Sequence, residues 1–431
     1  MIQRLLKDKL LETKLMISHA RRNEIRKHLD YYSGTSTEQY ITNYFSGDAF
    51  REIPPSITNF TRKFINKISR IYSLGAKRNS SERYQELIPT KDVRMKHSER
   101  MTRLLGTVAN RVHWKGEFFD YRPIYYFEAY FDEDPFVPSS IVYPLLHSTA
   151  DLSNTDNMQW EYWSAESYGM MDAEGKMLTE VENPYGIIPF VFTHREDQID
   201  SFFVEGASDI VNCNEQVNIA LTEMNLGMRF NMFGQPWVTG LRADQSMLRA
   251  GSNTILDMGE DGAYNITSPS GNIMEAIENI KFQMELVAIN NHLWIQFAES
   301  GGEVPSGISL MIKDMERKED YYDDIALWRM YEKDFYDVER VIAGYNGIEL
   351  PEQFGVDFEE IDYPKTVQDQ ILKDQFDVQN NLTTRAKIMV RDNKDLTVEQ
   401  AQEVINENRS VNEQEGTQSI FEKVRQEVGQ N

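Results

Sequence analysis

The chain has 431 residues and a formal net charge of −24 at pH 7. This length favours two or three domains over one hydrophobic core. Hydrophobic residues make up 40% of the chain, which excludes wholesale disorder, and the single cysteine, Cys213, excludes a disulfide framework. Neither a signal-peptide core nor a run of eighteen apolar residues occurs, so we expect an intracellular, soluble protein without a membrane span.

Charge is distributed unevenly along the chain. Residues 1–120 contain 23 Lys and Arg against 13 Asp and Glu, whereas the remainder contains 22 against 56. The acidic bulk argues against tight binding of nucleic acid, because phosphate binding requires clustered Lys and Arg. It does not argue against passing nucleic acid through without holding it, but before any motif is considered a surface that only keeps the protein soluble is favoured.

The first half of the chain is predicted to be helical and then β-rich. The first ~30 residues predict a charged helix that ends at Ser33–Ser36. A second helix is predicted after Pro54-Pro55. Its apolar face contains Ile57, Phe60, Phe64, Ile65, Ile68 and Ile71. We interpret the cations on its other face as solvated, and these are Arg62, Lys63, Lys67 and Arg70. Residues 117–205 predict a β-rich domain whose many aromatic side chains favour core packing over base stacking.

Two long helices are predicted in the second half, over 205–232 and 273–297, with a turn-rich insert between them. In the insert, PWVTG predicts one strand, and NTILDM with AYNIT predicts a hairpin around Gly259–Gly262. The helix over 273–297 has two apolar stripes, so it must bury two faces, within its own chain or between subunits. The stripes are Ile273, Ile277, Ile280, Met284 and Val287, and Phe282, Leu286, Ile289, Leu293 and Phe297.

A third long helix is predicted from Leu310 to Tyr345, after the loop SGGEVPSG. Its apolar line recurs every seven residues and comprises Tyr321, Trp328, Phe335 and Ile342. Shorter helices are predicted after Pro364, one of them capped by Asp395 or Thr397.

Sequence motifs of common enzyme classes do not occur. The chain has no GxxxxGK[ST], GxSxG or HExxH, and its seven histidines lack metal-ligand spacing. The run DMERKEDYYDD is the strongest enzyme candidate, because paired carboxylates can bind Mg²⁺ for phosphodiester chemistry. On a helix, however, Asp314, Glu316 and Asp320 do not converge on one point, so a solvated, ion-paired face is favoured. We therefore expect no catalytic residue, metal or cofactor.

Several segments together resemble the portal proteins of tailed double-stranded DNA bacteriophages. NPYGIIPFVF with EGASDIVNCNEQVNIALTEM is similar to a portal strand that leads into a stem helix, and GQPWVTG is similar to the strand entering the clip. SGGEVPSGISL, followed by a charged helix ending in RMYEKDFYDVERVI, resembles the tunnel loop and the long wing helix. NNLTTRAKIMVRDNKDLTVEQAQEVINEN resembles the crown helices. The resemblance covers roughly residues 180–410, and the order of the segments is its most specific feature.

The resemblance implies an α+β, mainly helical architecture with portal-like parts. These would be a wing of 1–204 with 308–363, a stem of 205–234 and 273–297, a clip of 235–272, a tunnel loop of 298–307 and a crown of 364–431.

The implied function is a ring, usually of twelve subunits, at one capsid vertex. Double-stranded DNA would pass through the ring during packaging and ejection. The large terminase subunit would dock first, and head-completion or tail adaptor proteins would replace it. Major capsid and scaffolding proteins would be further partners. The expected location is the virion, and the host cytoplasm during assembly.

Three groups of site residues follow from the resemblance. The DNA channel would be lined by Glu299, Ser300, Gly301, Gly302, Glu303, Val304, Pro305, Ser306 and Gly307. Partner proteins would bind the clip at Trp237, Thr239, Leu241, Ile255, Asp257 and Tyr264. Subunits would contact one another through Ile277, Phe282, Leu286 and Ile289. Two alternatives stay open: another ring-forming head–tail adaptor or virion structural protein, and, more remotely, a metal-dependent nuclease that uses the acidic run of 314–324.

Overall fold

The computed structural model describes residues 19–45, 54–145, 158–172, 176–233, 235–241, 258–267, 273–293, 295, 315–358, 367–380, 382–393 and 396–411. The fold is mixed α+β and mainly helical, as the sequence predicts. The chain divides into two compact units, which are Met1–Glu303 with Lys313–Glu360, and Val304–Ile312 with Ile361–Asn431.

The described α-helices, in chain order, are α1 (His19–Ser33), α2 (Thr37–Tyr44), α3 (Thr61–Ile68), α4 (Glu82–Leu87), α5 (Lys91–Leu105), α6 (Ser208–Phe233), α7 (Ile273–Asn290), α8 (Met315–Tyr345), α9 (Val367–Gln379), α10 (Arg385–Asp392) and α11 (398–411). The described strands are β1 (Ala76–Asn79), β2 (Thr107–Trp114), β3 (Phe119–Ile124), β4 (Glu128–Phe131), β5 (Pro138–Pro144), β6 (Trp160–Ser164), β7 (Ser167–Met171), β8 (Met177–Glu182), β9 (Phe190–His194), β10 (Gln235–Leu241), β11 (Met258–Thr267) and β12 (Gly355–Phe358).

All the sheets are antiparallel where they are described. Strands β4 to β8 form a five-stranded meander, and β3, β2 and β9 form a three-stranded sheet in that order. Trp160, Tyr162 and Trp163 are buried beneath these sheets, so the aromatic residues there pack in a core, as the sequence predicts. The β-rich region begins earlier than expected, because β2 starts at Thr107.

The predicted helix after Pro55 is only partly correct. Helix α3 begins at Thr61, and a short 3₁₀ turn at Ile71–Ser73 follows its end. The preceding residues are not helical because their backbone N–H groups donate to side chains of α6 instead of to helix carbonyls. Side-chain acceptors more than 150 residues away therefore decide the conformation of this segment.

The long helix α8 lies at the centre of one hydrophobic core. Its predicted seven-residue apolar line is confirmed, because Tyr321, Trp328, Phe335 and Ile342 are all buried. Around it pack residues of α4, α5, β2, β3 and β12. A second core surrounds α6 and includes residues of α1, α3, α5 and α7.

Helix α5 ends where two segments of backbone come close together. Gly106 has a φ of +84°, and a β-carbon there would lie 1.9 Å from the carbonyl oxygen of Val204. Only glycine fits, since any side chain would clash with fixed backbone at an already unfavourable φ. This close approach brings the segment before α6 against the end of α5.

The two long helices flanking the insert are confirmed, with one correction. Helix α6 covers most of the predicted span of 205–232 but begins at Ser208, and α7 ends at Asn290 instead of 297. His292 adopts a left-handed φ of 52°, and the N–H of Leu293 donates to the carbonyl of Ala288 at 2.7 Å. This bonding ends the helix and turns Leu293 into the core around α6.

The predicted hairpin around Gly259–Gly262 is wrong. Residues Met258–Thr267 form a single strand, β11, which pairs with β10 through Ala263–Thr267 and through Met258, with a register shift between these two parts. The turn-like residues Gly259–Gly262 lie at the register shift, so they form an irregularity within one strand instead of the turn between two. Most of NTILDM lies outside the described residues.

The second unit contains three helices in its described part. Thr397 is confirmed as the cap of α11, because its Oγ1 accepts from the N–H of Gln400 at 3.3 Å, while Asp395 lies outside the described residues. The side chain of Gln400 accepts in return from the N–H of Thr397 at 3.0 Å, which completes a reciprocal cap. Across the described residues, no helix is long and apolar enough to cross a membrane.

Candidate functional site

Helix α6 holds an extended segment, Ser56–Phe60, which we call the strap. The N–H of Ser56 donates to Oγ1 of Thr222 at 3.0 Å, and the N–H of Thr58 donates to Oδ1 of Asn218 at 2.8 Å. Since acceptors four residues apart lie on one face of a helix, α6 presents a row of polar side chains that binds the strap as a neighbouring strand would.

Asn214 completes this row at the end of the strap. Its Oδ1 accepts from the N–H of Phe60 at 2.9 Å and from the N–H of Thr61 at 3.1 Å. Its Nδ2 donates to the carbonyl of Thr58 at 2.9 Å. The asparagines of EGASDIVNCNEQVNIALTEM therefore fix where α3 begins, a role that sequence reasoning missed.

Helix α7 runs antiparallel to α6 and packs on it through one stripe. The Sγ of Cys213 donates to the carbonyl of Gln283 at 3.8 Å, and Nδ2 of Asn291 donates to Oδ2 of Asp209 at 2.6 Å. Ile280 is buried in the core around α6, and Met284 and Val287 pack against that core. The part of the first predicted stripe from Ile280 to Val287 is thus covered within the chain.

The second stripe of α7 is exposed. The exposed fractions of Phe282, Leu286 and Ile289 are 57%, 43% and 62%. The fourth predicted subunit contact, Ile277, belongs to the first stripe and is half-buried. Leu293 leaves this stripe because the turn after α7 buries it, and Phe297 lies outside the described residues. Three large apolar side chains on one helix face form the kind of patch that marks an interaction surface.

Strands β10 and β11 connect α6 to α7 and form a two-stranded sheet. Trp237 pairs with Asn265 and is 45% exposed, and Thr239 is also exposed. Leu241 pairs with Met258, and Tyr264 pairs with Val238. The other predicted clip residues, Ile255 and Asp257, lie outside the described residues, as do all the predicted channel residues of 299–307.

The acidic run at the start of α8 is not a uniformly solvated face. Asp324 is buried and forms an ion pair with Arg103 of α5, whereas Asp323 is exposed. Within the described ranges, no group of three or more His, Cys, Asp or Glu side chains could hold a metal ion. Asp314, a member of the proposed nuclease cluster, lies outside those ranges.

Sequence reasoning also missed a buried ionic cluster on α8. The Nζ of Lys91 lies 2.7 Å from Oε1 of Glu339 and 3.2 Å from Oε2 of Glu332. Arg78 binds Glu332 with two nitrogens, at 2.6 and 2.9 Å. The sequence contains one indication of this cluster: Glu332 and Glu339 are seven residues apart, so they lie on the same side of the helix as the apolar line that contains Phe335.

The cluster is electrically balanced and supported by hydroxyl donors. Tyr72 donates to Glu332 at 2.7 Å, and Tyr84 and Tyr121 both donate to Glu339 at 2.6 Å. Burial alone raises the pKa of Glu332, but the charge of Lys91 and the hydrogen bonds from Arg78 outweigh it and lower this pKa to about 2. The cluster thus joins α8 to α5 and β1.

No protein-family model matches the chain, and comparison with curated proteins finds no match. The interpretation of these surfaces therefore depends on their own geometry and on the order of the elements.

Proposed function

We propose that this chain is the subunit of a portal ring at one capsid vertex, through which double-stranded DNA is packaged and ejected. In this proposal α6 and α7 form the stem, and β10 with β11 forms the clip that binds terminase and then tail-side proteins. The rest of the first unit, including α8, forms the wing. The channel loop is assigned to 298–307 and the crown to 364–431.

The observation that carries the proposal is the exposed apolar stripe of α7. A helix that packs one stripe on α6 and leaves Phe282, Leu286 and Ile289 in water is expected to bury them against another molecule. A stem helix in a closed ring has this requirement, since each subunit must cover one face of its neighbour.

The order of elements gives further support. A long helix, a two-stranded sheet, a second long helix and then a 31-residue helix follow one another from Ser208 to Tyr345. The segment between the last two helices contains glycines but no lysine or arginine from Ala298 to Met311. With acids at Glu299 and Glu303, such a loop would guide DNA without holding its phosphates.

The test is the assembly state of the full-length chain. We expect native mass spectrometry to show a closed oligomer, usually of twelve copies, and negative-stain images to show a ring with a central channel. Monomers at every salt concentration would contradict the proposal. A ring in which the loop of 298–307 faces away from the channel, observed by cryo-electron microscopy, would favour a head–tail adaptor instead.

A further inference from the structure

The exposed face of α7 is acidic as well as apolar. Glu275, Glu278 and Glu285 are exposed. At 3.6 residues per turn, the last two lie within about 60° of Phe282 around the helix axis. The apolar stripe is therefore bordered by carboxylates, and a surface that covers it should present apolar side chains beside cations.

Such a surface occurs on the strap and α3. Lys63 and Lys67 are exposed one helical turn apart, and neither forms an ion pair with another part of the chain that the structure describes. Ile57 of the strap is 44% exposed, and Arg62 is exposed at the start of the same helix. The cations that sequence reasoning assigned to a solvated face thus belong to the same segment as an exposed apolar residue, Ile57.

The two faces lie on different sides of α6. The strap binds α6 through Asn218, and α7 binds it through Asp209. These two residues are nine positions apart, which at 3.6 residues per turn places them about 180° apart around the axis. A subunit therefore carries the acidic apolar helix α7 on one side of its central helix, and the strap, which leads into the basic helix α3, on the other.

The two faces also lie at the same height along α6. Gln283 of α7 contacts Cys213 of α6, and Asn291, just after α7, contacts Asp209 of α6. The strap reaches Asn214 at Thr61, where α3 begins. Ile68, at the end of α3, lines one cavity with Asn290, Asn291 and His292 at the end of α7. Rotation about an axis parallel to α6, without translation, would bring the α7 face of one copy against α3 of the next.

We propose that the receiving surface for α7 is the strap and α3 of the neighbouring copy, with Glu278 and Glu285 facing Lys63 and Lys67. This inference rests on the proposed ring and names its subunit interface. Two different faces of one chain make a heterologous contact, which closes into a ring when the rotation between copies divides a full turn. The occupant is a second copy because its charges and apolar groups complement this stripe.

The experiment is a charge-reversal cycle in the full-length chain. One variant carries Lys63→Glu with Lys67→Glu, and the other carries Glu278→Lys with Glu285→Lys. Each variant places like charges at both sides of its own interface, so we expect its apparent dissociation constant for assembly to rise at least about tenfold. An equimolar mixture should assemble again, because each variant's faces complement those of the other.

Matched controls separate the pairing from a general effect of charge. Lys115→Glu with Lys176→Glu alters two exposed lysines in other turns by the same charge, and it should assemble like the original chain. Mass photometry measures assembly, and circular dichroism verifies that each variant is folded. The pairing is established if the mixture of the two variants assembles while neither variant assembles by itself.

Four results would overturn the inference. Normal assembly of both variants, or equal weakening by the control pair, would leave the ring proposal intact but refute this interface. Folded variants whose mixture stays dissociated would refute the pairing as well, and would point to a different occupant of the α7 face. An original chain that never self-associates would refute both the interface and the proposed function.

Discussion

Lys91 of α5 and Glu339 of α8 form a completely buried ion pair, with Nζ and Oε1 2.7 Å apart. A second buried pair, Arg78 with Glu332, adjoins it, because Lys91 also contacts Glu332. Three tyrosine hydroxyls donate hydrogen bonds to the two carboxylates. Removing one member of a buried ionic group leaves a charge without compensation, which costs far more than removing an exposed pair.

Replacement of Lys91 should therefore destabilise the first unit strongly. We expect Lys91→Met to lower the free energy of unfolding by about 3–5 kcal/mol, because two buried carboxylates would share a single arginine. Urea denaturation followed by circular dichroism measures the change. The control is Lys96→Met on the same helix, where the lysine is only half-buried. Equal effects of the two substitutions would contradict the importance of the cluster.

Acid should weaken the same cluster over a defined pH range. The folded-state pKa of Glu332 is about 2, below its ordinary value of 4.5, so the folded state binds its proton less tightly than the unfolded state. The corresponding stabilisation is complete above pH 4.5 and is lost as the pH falls towards 2. We expect a loss of about 3 kcal/mol from this residue.

The Glu332→Gln variant checks this assignment. Its unfolding free energy should change less between pH 5 and pH 2.5 than that of the original chain, because it has no carboxylate to protonate there. Glu166→Gln, which alters an exposed glutamate, is the control and should keep the original pH dependence. A Glu332→Gln profile parallel to the original one would contradict the lowered pKa.

The strap should depend on the side chain of Asn214. The substitution Asn214→Ala removes four hydrogen bonds and leaves the N–H groups of Phe60 and Thr61 without their acceptor. We expect a loss of about 2–3 kcal/mol of stability and faster proteolysis around the strap. Gln216→Ala, at an exposed position of the same helix, should change neither measurement.

A charge placed in the exposed stripe of α7 should prevent assembly. We expect Phe282→Asp to convert the oligomer into folded monomers, since it removes a large apolar side chain from the contact and adds a carboxylate whose desolvation is costly. The control is Ile199→Asp, which alters a side chain that is 87% exposed in a loop outside the proposed interface. Sedimentation velocity distinguishes the outcomes, and a normal oligomer from Phe282→Asp would contradict the assigned contact.

Trp237 should be an anchor for proteins that bind the clip. It is exposed on a two-stranded sheet, and tryptophan is enriched among the residues that dominate interface energies. We expect Trp237→Ala to weaken terminase binding at least about tenfold in a titration, while ring assembly is unchanged. Asn265→Ala, which alters the exposed residue paired with Trp237 on β11, is the neighbouring control. Unaltered terminase affinity would move the docking site elsewhere.

Local patterns in the sequence predicted the long helices well. The apolar line through Tyr321, Trp328, Phe335 and Ile342 defines α8, and the two stripes on 273–297 define α7 over most of its length. These predictions succeed because helical periodicity depends on residues close together in the sequence and does not require a distant partner. The β-rich character of 117–205 was predictable for the same reason.

Long-range partners decided the features that the sequence alone could not. The strap would continue the helical pattern of α3 but binds Asn214 and Asn218, more than 150 residues away. The turn-like sequence Gly259–Gly262 lies inside the single strand β11, because residues on both sides of it pair with β10. The charges of Lys91 and Glu339 meet across 248 positions.

The sequence determined that α7 has two apolar stripes, but it did not determine which one would remain exposed. Both stripes have similar composition. Which of them is buried follows from the contacts that Cys213 and Asp209 of α6 make with α7 and the residues just after it, because these contacts fix the rotation of α7 about its own axis. That packing covers the stripe with Ile280 and leaves the one with Phe282 in water. The candidate interface is therefore a property of the tertiary structure, because burial depends on which neighbour the folded chain supplies.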